Sequence, residues 1–155
     1  MNKMFLIPIV SLLFSQCGKE DLSRGFSLYN NSDNPISYYM PWKHGIFYPD
    51  TILPEMNPYP YKFDKEYHFS FGEGNFDENA LFELFPTDTM SIFFFDPDTL
   101  AKYNWETIRE DYKILVRYDL SHNDLKKLGW CIYYPPTEVM KGMKMYFRSS
   151  DVINL

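Results

Sequence analysis

Short runs of apolar residues, separated by clusters of turn-forming polar residues, mark strands along the chain. Residues 26–29 and 36–40 flank a turn cluster, Asn30 to Pro35, and this order predicts a β-hairpin. Residues 90–95 are nearly all apolar, which predicts a strand at the centre of a sheet with both faces covered. The other predicted strands are residues 67–71, 114–120 and 130–134.

Two short helices are predicted from the residues that would cap them. Asn104 can cap a helix over residues 105–112, whose apolar residues share one face. Ser121 and Asp124 have the spacing of a capping box at the start of a helix over residues 122–128. With about six or seven short strands, these helices predict a mainly β fold, a two-layer β-sandwich-like domain with two or three short helices. An α+β domain with a single sheet is the alternative.

The N-terminal residues follow a different pattern, which is typical of an export signal. One positive charge, Lys3, precedes an apolar run from Met4 to Phe14. The run is too short for a membrane-spanning helix, which needs about 20 apolar residues, and its layout is typical of a secretory signal peptide. The sequence Phe14-Ser15-Gln16-Cys17 then resembles the lipobox of bacterial lipoproteins. That resemblance implies that residues 1–16 are removed as a lipoprotein signal peptide and that Cys17 carries lipid, palmitate included.

The predicted mature chain has a lipidated Cys and tether over residues 17–25 and a single β-rich domain over residues 26–155. The sequence is compatible with a Met-rich tail, from residue 137, that either packs on the sheet or is loose. Several acyl chains hold a protein durably at a membrane without a transmembrane helix. The prediction is therefore a lipid-anchored protein of the bacterial cell envelope. It would lie at the outer membrane, on the periplasmic or the surface-exposed side.

Two longer motifs carry a family resemblance. Asp88 to Leu100 reads D-T-M-S-I-F-F-F-D-P-D-T-L, and Ile114 to Ser121 reads I-L-V-R-Y-D-L-S. Both resemble a family of small lipoproteins of Bacteroidota, over roughly residues 26–136. The resemblance implies a Bacteroidota lineage and an envelope location, and it carries no activity and no site residue.

Composition excludes several classes of protein. Hydrophobic residues make up 45% of the chain, which is too many for a disordered tail. The net charge of −6 argues against a nucleic-acid partner, because such partners require a basic surface. The chain has 2 Cys, so lipid on Cys17 would leave no disulfide within the chain. Cys131, in an apolar strand, is then expected to be a buried free thiol.

Candidate catalytic chemistry is sparse. The 3 His are not at metal-ligand spacing, and the sequence lacks the Gly-x-Ser-x-Gly motif of serine hydrolases. Asp96 and Asp98 flank Pro97 and are interpreted as turn residues, with Asp98 capping a short helical turn. The sequence therefore predicts no catalytic residue, no metal and no cofactor. A non-catalytic protein is expected, with an enzyme of unrecognised type as the less favoured alternative.

Residues 41–62 are the best candidate for a binding site. Five Pro fall within them, which excludes a long helix or a central strand, and aromatic residues are interleaved. Tyr and Trp rings pack on sugars or apolar partners while their polar edges form hydrogen bonds. Such rings can equally fill the core of a small domain. The candidate ligand-binding residues are Tyr38, Tyr39, Trp42, Tyr48, Tyr59 and Tyr61.

These observations lead to the hypothesis of a lipid-anchored envelope protein that binds a ligand or partner, such as a glycan, through this region. The alternative is a structural subunit of an envelope assembly that docks through the Met-rich tail, residues 137–155. In both hypotheses the chain meets the membrane through lipid on Cys17.

Overall fold

A computed structural model describes residues 25–41, 52–70, 82–83, 85 and 88–147 of the chain. The predictions that fall outside these residues are the signal peptide, the lipidation of Cys17, most of the tether, and the candidate residues Trp42 and Tyr48. The strands are β1 (Gly25–Asn30), β2 (Ile36–Tyr39), β3 (Tyr61–Phe63), β4 (Glu66–Ser70), β5 (Thr89–Phe95), β6 (Val116–Ser121), β7 (Cys131–Tyr134) and β8 (Lys144–Phe147). The helices are α1 (Pro97–Lys102), α2 (Trp105–Glu110), α3 (His122–Lys127) and a 3-10 helix, Glu138–Met140.

The strands form two sheets, a small one in the order β4-β1-β7 and a large one in the order β3-β2-β5-β6-β8. Neighbouring strands are antiparallel except β1 and β7, which run parallel. Apolar side chains of both sheets meet in one core, to which Phe26 and Ile132 come from the small sheet and Ile92 and Tyr118 from the large one. The fold is a mainly β, two-layer sandwich, as predicted, and the alternative of a single sheet is wrong.

The hairpin predicted from residues 26–29 and 36–40 is wrong, because β1 and β2 lie in different sheets. The turn cluster between them is organised by the buried side chain of Asn30. Its amide nitrogen donates to the carbonyl oxygens of Asn34, at 2.7 Å, and Asp64, at 2.6 Å. These bonds tie the turn to the β3–β4 connection while the chain crosses between sheets. A turn cluster between two strands gives the same sequence pattern for a hairpin and for such a crossing.

The large sheet is covered on both faces. Its outer face carries a second apolar cluster, in which Phe93 and Phe95 of β5 pack with Trp105 and Ile108 of α2. The alternate residues of β5 face the core between the sheets, because successive side chains of a strand point to opposite faces. The predicted central strand is confirmed, since β5 pairs with both β2 and β6 and is buried on both sides.

The two helices predicted from their caps are confirmed. The side-chain oxygen of Asn104 accepts a hydrogen bond from the amide of Thr107 at 2.8 Å, at the start of α2. Ser121 and Asp124 form the capping box of α3, in which each side chain accepts from the backbone amide of the other residue. Among the described residues, none of the helices is long and apolar enough to cross a membrane.

Helix α1 is capped by Asp96 and not, as predicted, by Asp98. The Asp96 carboxylate accepts from the amide of Asp98 at 2.9 Å and from the hydroxyl of Thr99 at 3.0 Å. Pro97 takes the first helical position, where a missing amide proton removes no helical hydrogen bond. The capping residue must precede that position, so the cap falls on Asp96.

The first part of the Met-rich tail packs on the large sheet. Met140, in the 3-10 helix, is fully buried in the core, and β8 pairs with β6. Met143 and Met145 are partly buried against the same core. Residues 148–155 lie outside the described residues. The tail is therefore part of the domain through residue 147.

Candidate functional site

Exposed apolar side chains are concentrated in residues 52–61, which form the tyrosine segment. Among the described residues, the large hydrophobic side chains that are exposed are Ile52, Met56, Tyr59 and Tyr61 in this segment, and Val139 elsewhere. Met56 and Tyr59 are each 82% exposed. Single apolar residues scattered over a surface are normal, whereas a group of them is typical of an interaction site.

The tyrosine segment is held at both ends. Near its start, Leu53 is buried in the outer apolar cluster, and the indole nitrogen of Trp105 donates to the carbonyl oxygen of Pro54 at 2.7 Å. At its end, Tyr61 begins β3 and lies opposite Tyr38 of β2. The exposed side chains between these anchors are therefore presented by a fixed backbone, which lowers the entropy lost on binding.

Tyr59 has an unusual backbone conformation, with φ at +52°. A bulky residue rarely adopts a positive φ, which glycine accepts without cost. Pro58 and Pro60 restrict the backbone on either side, and the Asn57 side chain accepts from the amide of Tyr59 at 2.9 Å. The Tyr59 ring is exposed, so the conformation does not serve core packing. Strain of this kind at an exposed aromatic residue points to a binding role.

The tyrosine segment borders an aromatic cleft of about 290 Å³ at the edge of the large sheet. The ring centre of Tyr61 lies 6.3 Å from that of Tyr38 and 6.0 Å from that of Tyr67. The ring centres of Tyr38 and Tyr67 are 5.0 Å apart. The cleft is lined by Tyr38, Tyr39, Met40, Pro58, Tyr59, Tyr61, Tyr67 and Phe69.

The floor of the aromatic cleft includes the rings and hydroxyl groups of Tyr38 and Tyr67, whose ring centres lie 5.0 Å apart. Burial raises the pKa of the Tyr38 phenol well above its ordinary value, and a hydrogen bond with Tyr67 raises it further. Both effects favour the neutral phenol. Among the described residues, none of the side chains that line the cleft carries a formal charge. The cleft therefore offers aromatic rings and hydroxyl groups to a ligand.

The structure brings four of the six candidate residues to this cleft and gives them different roles. Tyr59 and Tyr61 are exposed and form its rim, whereas Tyr38 is buried and contributes to its floor. Tyr39 borders the cleft, but its ring stacks on Phe93 on the opposite face of the sheet, at 6.3 Å between ring centres. Trp42 and Tyr48 lie outside the described residues.

Tyr67 and Phe69 were missed as lining residues by the reasoning from sequence. Both belong to β4, where they alternate with His68 and so face the cleft together. The alternation was visible in the sequence and placed them on one face. What was missing was the neighbour of that face, since β3 and β4 are joined by a short turn but belong to different sheets.

A second polar cluster, the β4 trio, lies on the outer face of the small sheet and consists of Ser27, Glu66 and His68. The Ser27 hydroxyl and the His68 Nδ1 atom are 2.8 Å apart, and the His68 Nε2 atom lies 3.1 Å from a Glu66 carboxylate oxygen. A carboxylate only accepts hydrogen bonds, so Nε2 is the donor, and Nδ1 of a neutral ring accepts from Ser27. The order of groups is that of a Ser-His-acid triad.

The geometry around Ser27 does not suit acyl transfer. Ser27 is fully buried, so its hydroxyl has no open approach for a substrate. It lies within β1, the middle strand of the small sheet, and its amide donates to the carbonyl oxygen of Trp130 at 2.9 Å. That amide is not available to stabilise an oxyanion. The β4 trio is therefore a cross-strand hydrogen-bond network.

A third cluster, the β6 trio, lies on the outer face of the large sheet and consists of Ser91, Arg117 and Asp119. Arg117 Nε donates to an Asp119 carboxylate oxygen at 2.6 Å, and the Ser91 hydroxyl donates to the same oxygen at 2.7 Å. The guanidinium carbon of Arg117 lies 5.1 Å from the ring centre of Phe93 and 5.6 Å from that of Tyr146. The second Asp119 oxygen is buried and has no hydrogen-bond partner among the described residues.

Cys131 is fully buried in β7 and takes part in a disulfide bond, so the expectation of a free thiol is wrong. That expectation assumed that lipid on Cys17 would leave Cys131 without a partner. Cys17 is the chain's one other cysteine and lies outside the described residues.

Comparison with known proteins adds no relative. No family model, no curated protein and no solved structure matches this chain. Within the described part of the chain, no three His, Cys, Asp or Glu side chains are grouped so that they could hold a metal ion. The features of the molecule that bear on its function are therefore the tyrosine segment, the aromatic cleft and the N-terminal sequence.

Proposed function

We propose that this chain is a lipid-anchored protein of the bacterial cell envelope that binds a ligand or partner, without catalysis, through the tyrosine segment. The observation that carries the binding role is the concentration of exposed apolar side chains in residues 52–61. These side chains extend from a backbone that is fixed by Leu53 at one end and by β3 at the other. A rigid, exposed aromatic surface is typical of a recognition site.

A non-catalytic role is supported by the chemistry of the aromatic cleft. In the described part of the chain its lining offers rings and hydroxyl groups, and it contains no His, Asp, Glu or Lys side chain that could act as a general base. The β4 trio has the order of a catalytic triad, but Ser27 is buried. Binding is thus the function that the geometry supports best.

The envelope location is supported by the N-terminal sequence. Lys3, the apolar run from Met4 to Phe14, and Cys17 follow the order of a lipoprotein signal. Lipid would occupy the sulfur of Cys17, and the sulfur of Cys131 is in a disulfide bond. A test of the anchor must therefore follow both sulfurs.

Binding is tested with the full chain on a glycan array and by crosslinking in envelope extracts. The variant Tyr59→Ala/Tyr61→Ala should lose about 5-fold to 150-fold in affinity for whatever the wild type retains, since each aromatic contact contributes about 0.5–1.5 kcal/mol. Val139→Ala changes an exposed hydrophobic residue elsewhere and should bind as the wild type does. Equal binding by all three proteins would remove the tyrosine segment as the site.

The anchor is tested by growth with labelled palmitate and by alkylation of thiols in the denatured protein. Lipid on Cys17 predicts incorporation of the label, loss of the label in Cys17→Ala, and an alkylatable thiol at Cys131. An unlabelled protein whose cysteines resist alkylation until they are reduced would show that the anchor is wrong. That result would leave the binding proposal intact, because the two rest on different residues.

A further inference from the structure

We propose that the aromatic cleft takes an uncharged carbohydrate, which packs on the Tyr59 and Tyr61 rings and forms hydrogen bonds with the Tyr38–Tyr67 hydroxyl pair. This inference rests on the proposed binding function and names the chemical class of the ligand. Three features of the cleft support it: the uncharged described lining, the two hydroxyl groups of the floor and the exposed rings of the rim.

The lining of the cleft favours an uncharged ligand. The side chains that line it in the described part of the chain are tyrosines, a phenylalanine, a methionine and a proline, none of which carries a formal charge. A carboxylate, sulfate or ammonium group that entered would lose hydration without gaining a charged partner, which is costly. Acidic glycans and charged peptide side chains are therefore disfavoured at this position.

The hydroxyl pair of the floor favours a sugar over a proline-rich peptide. Tyr38 and Tyr67 lie with their ring centres 5.0 Å apart, and when one hydroxyl donates to the other, the pair retains one O–H and several lone pairs that a ligand can use. A sugar hydroxyl can accept from that O–H and donate to those lone pairs at the same time. A proline-rich backbone offers carbonyl acceptors and lacks amide donors at its proline positions, so it can use only half of this capacity.

The rim supplies apolar faces of suitable size. The Tyr61 ring is 65% exposed, lies 6.0 Å from Tyr67 and is inclined to it by 44°. Tyr59 is two residues away, and its backbone is held by Asn57 and the flanking prolines. The C–H face of a pyranose ring can pack on such a ring while its hydroxyls point to the floor. Two tyrosine rings suit a chain of sugars better than a single sugar.

The inference is tested by calorimetry on the full chain, in a detergent without a sugar headgroup. The probes are the uncharged oligosaccharides maltohexaose, cellohexaose and mannohexaose, the acidic hexamer of galacturonate, and a decaproline peptide. At least one uncharged oligosaccharide should bind, and galacturonate should bind at least about tenfold more weakly. Tyr61→Ala should weaken the sugar complex about tenfold, and Tyr67→Phe about threefold or more, because it removes only a hydroxyl. Val139→Ala should bind as the wild type does.

The outcomes separate the carbohydrate inference from the proposed binding function. Decaproline binding that is lost in Tyr61→Ala, without binding of any oligosaccharide, overturns the carbohydrate and leaves the cleft as a binding site. Tighter binding of galacturonate than of the uncharged sugars also overturns the inference. Sugar binding that is unchanged in both Tyr61→Ala and Tyr67→Phe contradicts the cleft itself. Failure of all three uncharged oligosaccharides to bind counts against the inference as well.

Discussion

The β6 trio and the β4 trio have the same layout on the outer faces of the two sheets. In each trio, two side chains two positions apart on one strand contact each other, Arg117 with Asp119 in one and His68 with Glu66 in the other. A serine on the neighbouring strand forms a hydrogen bond with this pair. They differ in burial. The side chains of Arg117 and Asp119 are 0% exposed, whereas those of His68 and Glu66 are 50% and 44% exposed. The same arrangement of groups therefore has different consequences at the two sites.

The difference shows how burial decides what a polar network does. Water screens the contact between His68 and Glu66, which are about half exposed, so these two side chains depend little on one another. The side chains of Arg117 and Asp119 have lost their contacts with water on folding, so each charge depends on the other for its stabilisation. The β6 trio is also linked to the anchor of the tyrosine segment through the outer apolar cluster. Arg117 packs on Phe93, which belongs to the same apolar cluster as Leu53, the buried anchor of the tyrosine segment.

The largest effect is expected from Arg117→Met. Methionine keeps most of the apolar volume between Phe93 and Tyr146, but Asp119 is left buried without its cation. Breaking a buried ion pair in this way costs about 3–5 kcal/mol in the free energy of unfolding. Urea denaturation of the full chain measures the loss. The control is Lys113→Met, which removes a more exposed ion pair with Asp111 and should cost no more than about 1 kcal/mol. Equal losses would erase the contrast between buried and exposed pairs.

A recovery is expected when both charges of the β6 trio are removed. The double variant Arg117→Met/Asp119→Leu leaves no uncompensated charge in the outer apolar cluster. Apolar replacement of a buried ion pair is often neutral or stabilising by about 1–4 kcal/mol, so the double variant should be more stable than Arg117→Met alone. A double-mutant cycle in urea gives the coupling energy between the two residues. A double variant as unstable as Arg117→Met would show that the loss comes from packing and not from charge.

Much of the fold could be predicted from local patterns, and the failures to predict which strands pair have one cause. The capped helices α2 and α3 and the central strand β5 were predictable because capping and apolar runs are local properties. The pairing of β1 and β2 was not, because a turn cluster does not specify which sheet the next strand joins. Neither polar trio was visible, since each serine meets its partners across a strand pairing that the sequence does not specify.

The candidate site was predictable in outline for a similar reason. Proline and tyrosine content pointed to residues 41–62, and composition alone could not divide the tyrosines into buried and exposed ones. Tyr38 is buried because β2 pairs with both β3 and β5, whereas Tyr61 stays exposed on the short edge strand β3. Exposure thus depends on the position of a strand within its sheet, which is a property of the whole fold.

A small effect is expected from Glu66→Gln in the β4 trio. The glutamine can still accept a hydrogen bond from His68, and the side chains concerned are about half exposed. The loss in the free energy of unfolding should stay at or below about 1 kcal/mol, the usual contribution of an exposed pair. Glu55→Gln, at an exposed site in the tyrosine segment, serves as the matched control in the same urea measurement. A loss of 3 kcal/mol or more, on the order of a buried pair, would mean that the β4 trio is buried in solution.

The smallest effect is expected in the ionisation of Tyr29, which lies opposite Glu66 in the small sheet. Burial, which is the largest cause, together with the hydrogen bond and the negative charge of Glu66 raises the pKa of Tyr29 from 10.0 to about 12. Because the folded-state pKa lies above the unfolded one, this contribution to stability is complete below pH 10 and is lost as the pH rises towards 12. The phenolate absorbance of the wild type minus that of Tyr29→Phe isolates this group. In Glu66→Gln the pKa should fall but stay above 10.0, because burial is the larger cause. An unchanged pKa of Tyr29 in Glu66→Gln would show that the network of the β4 trio does not include Tyr29.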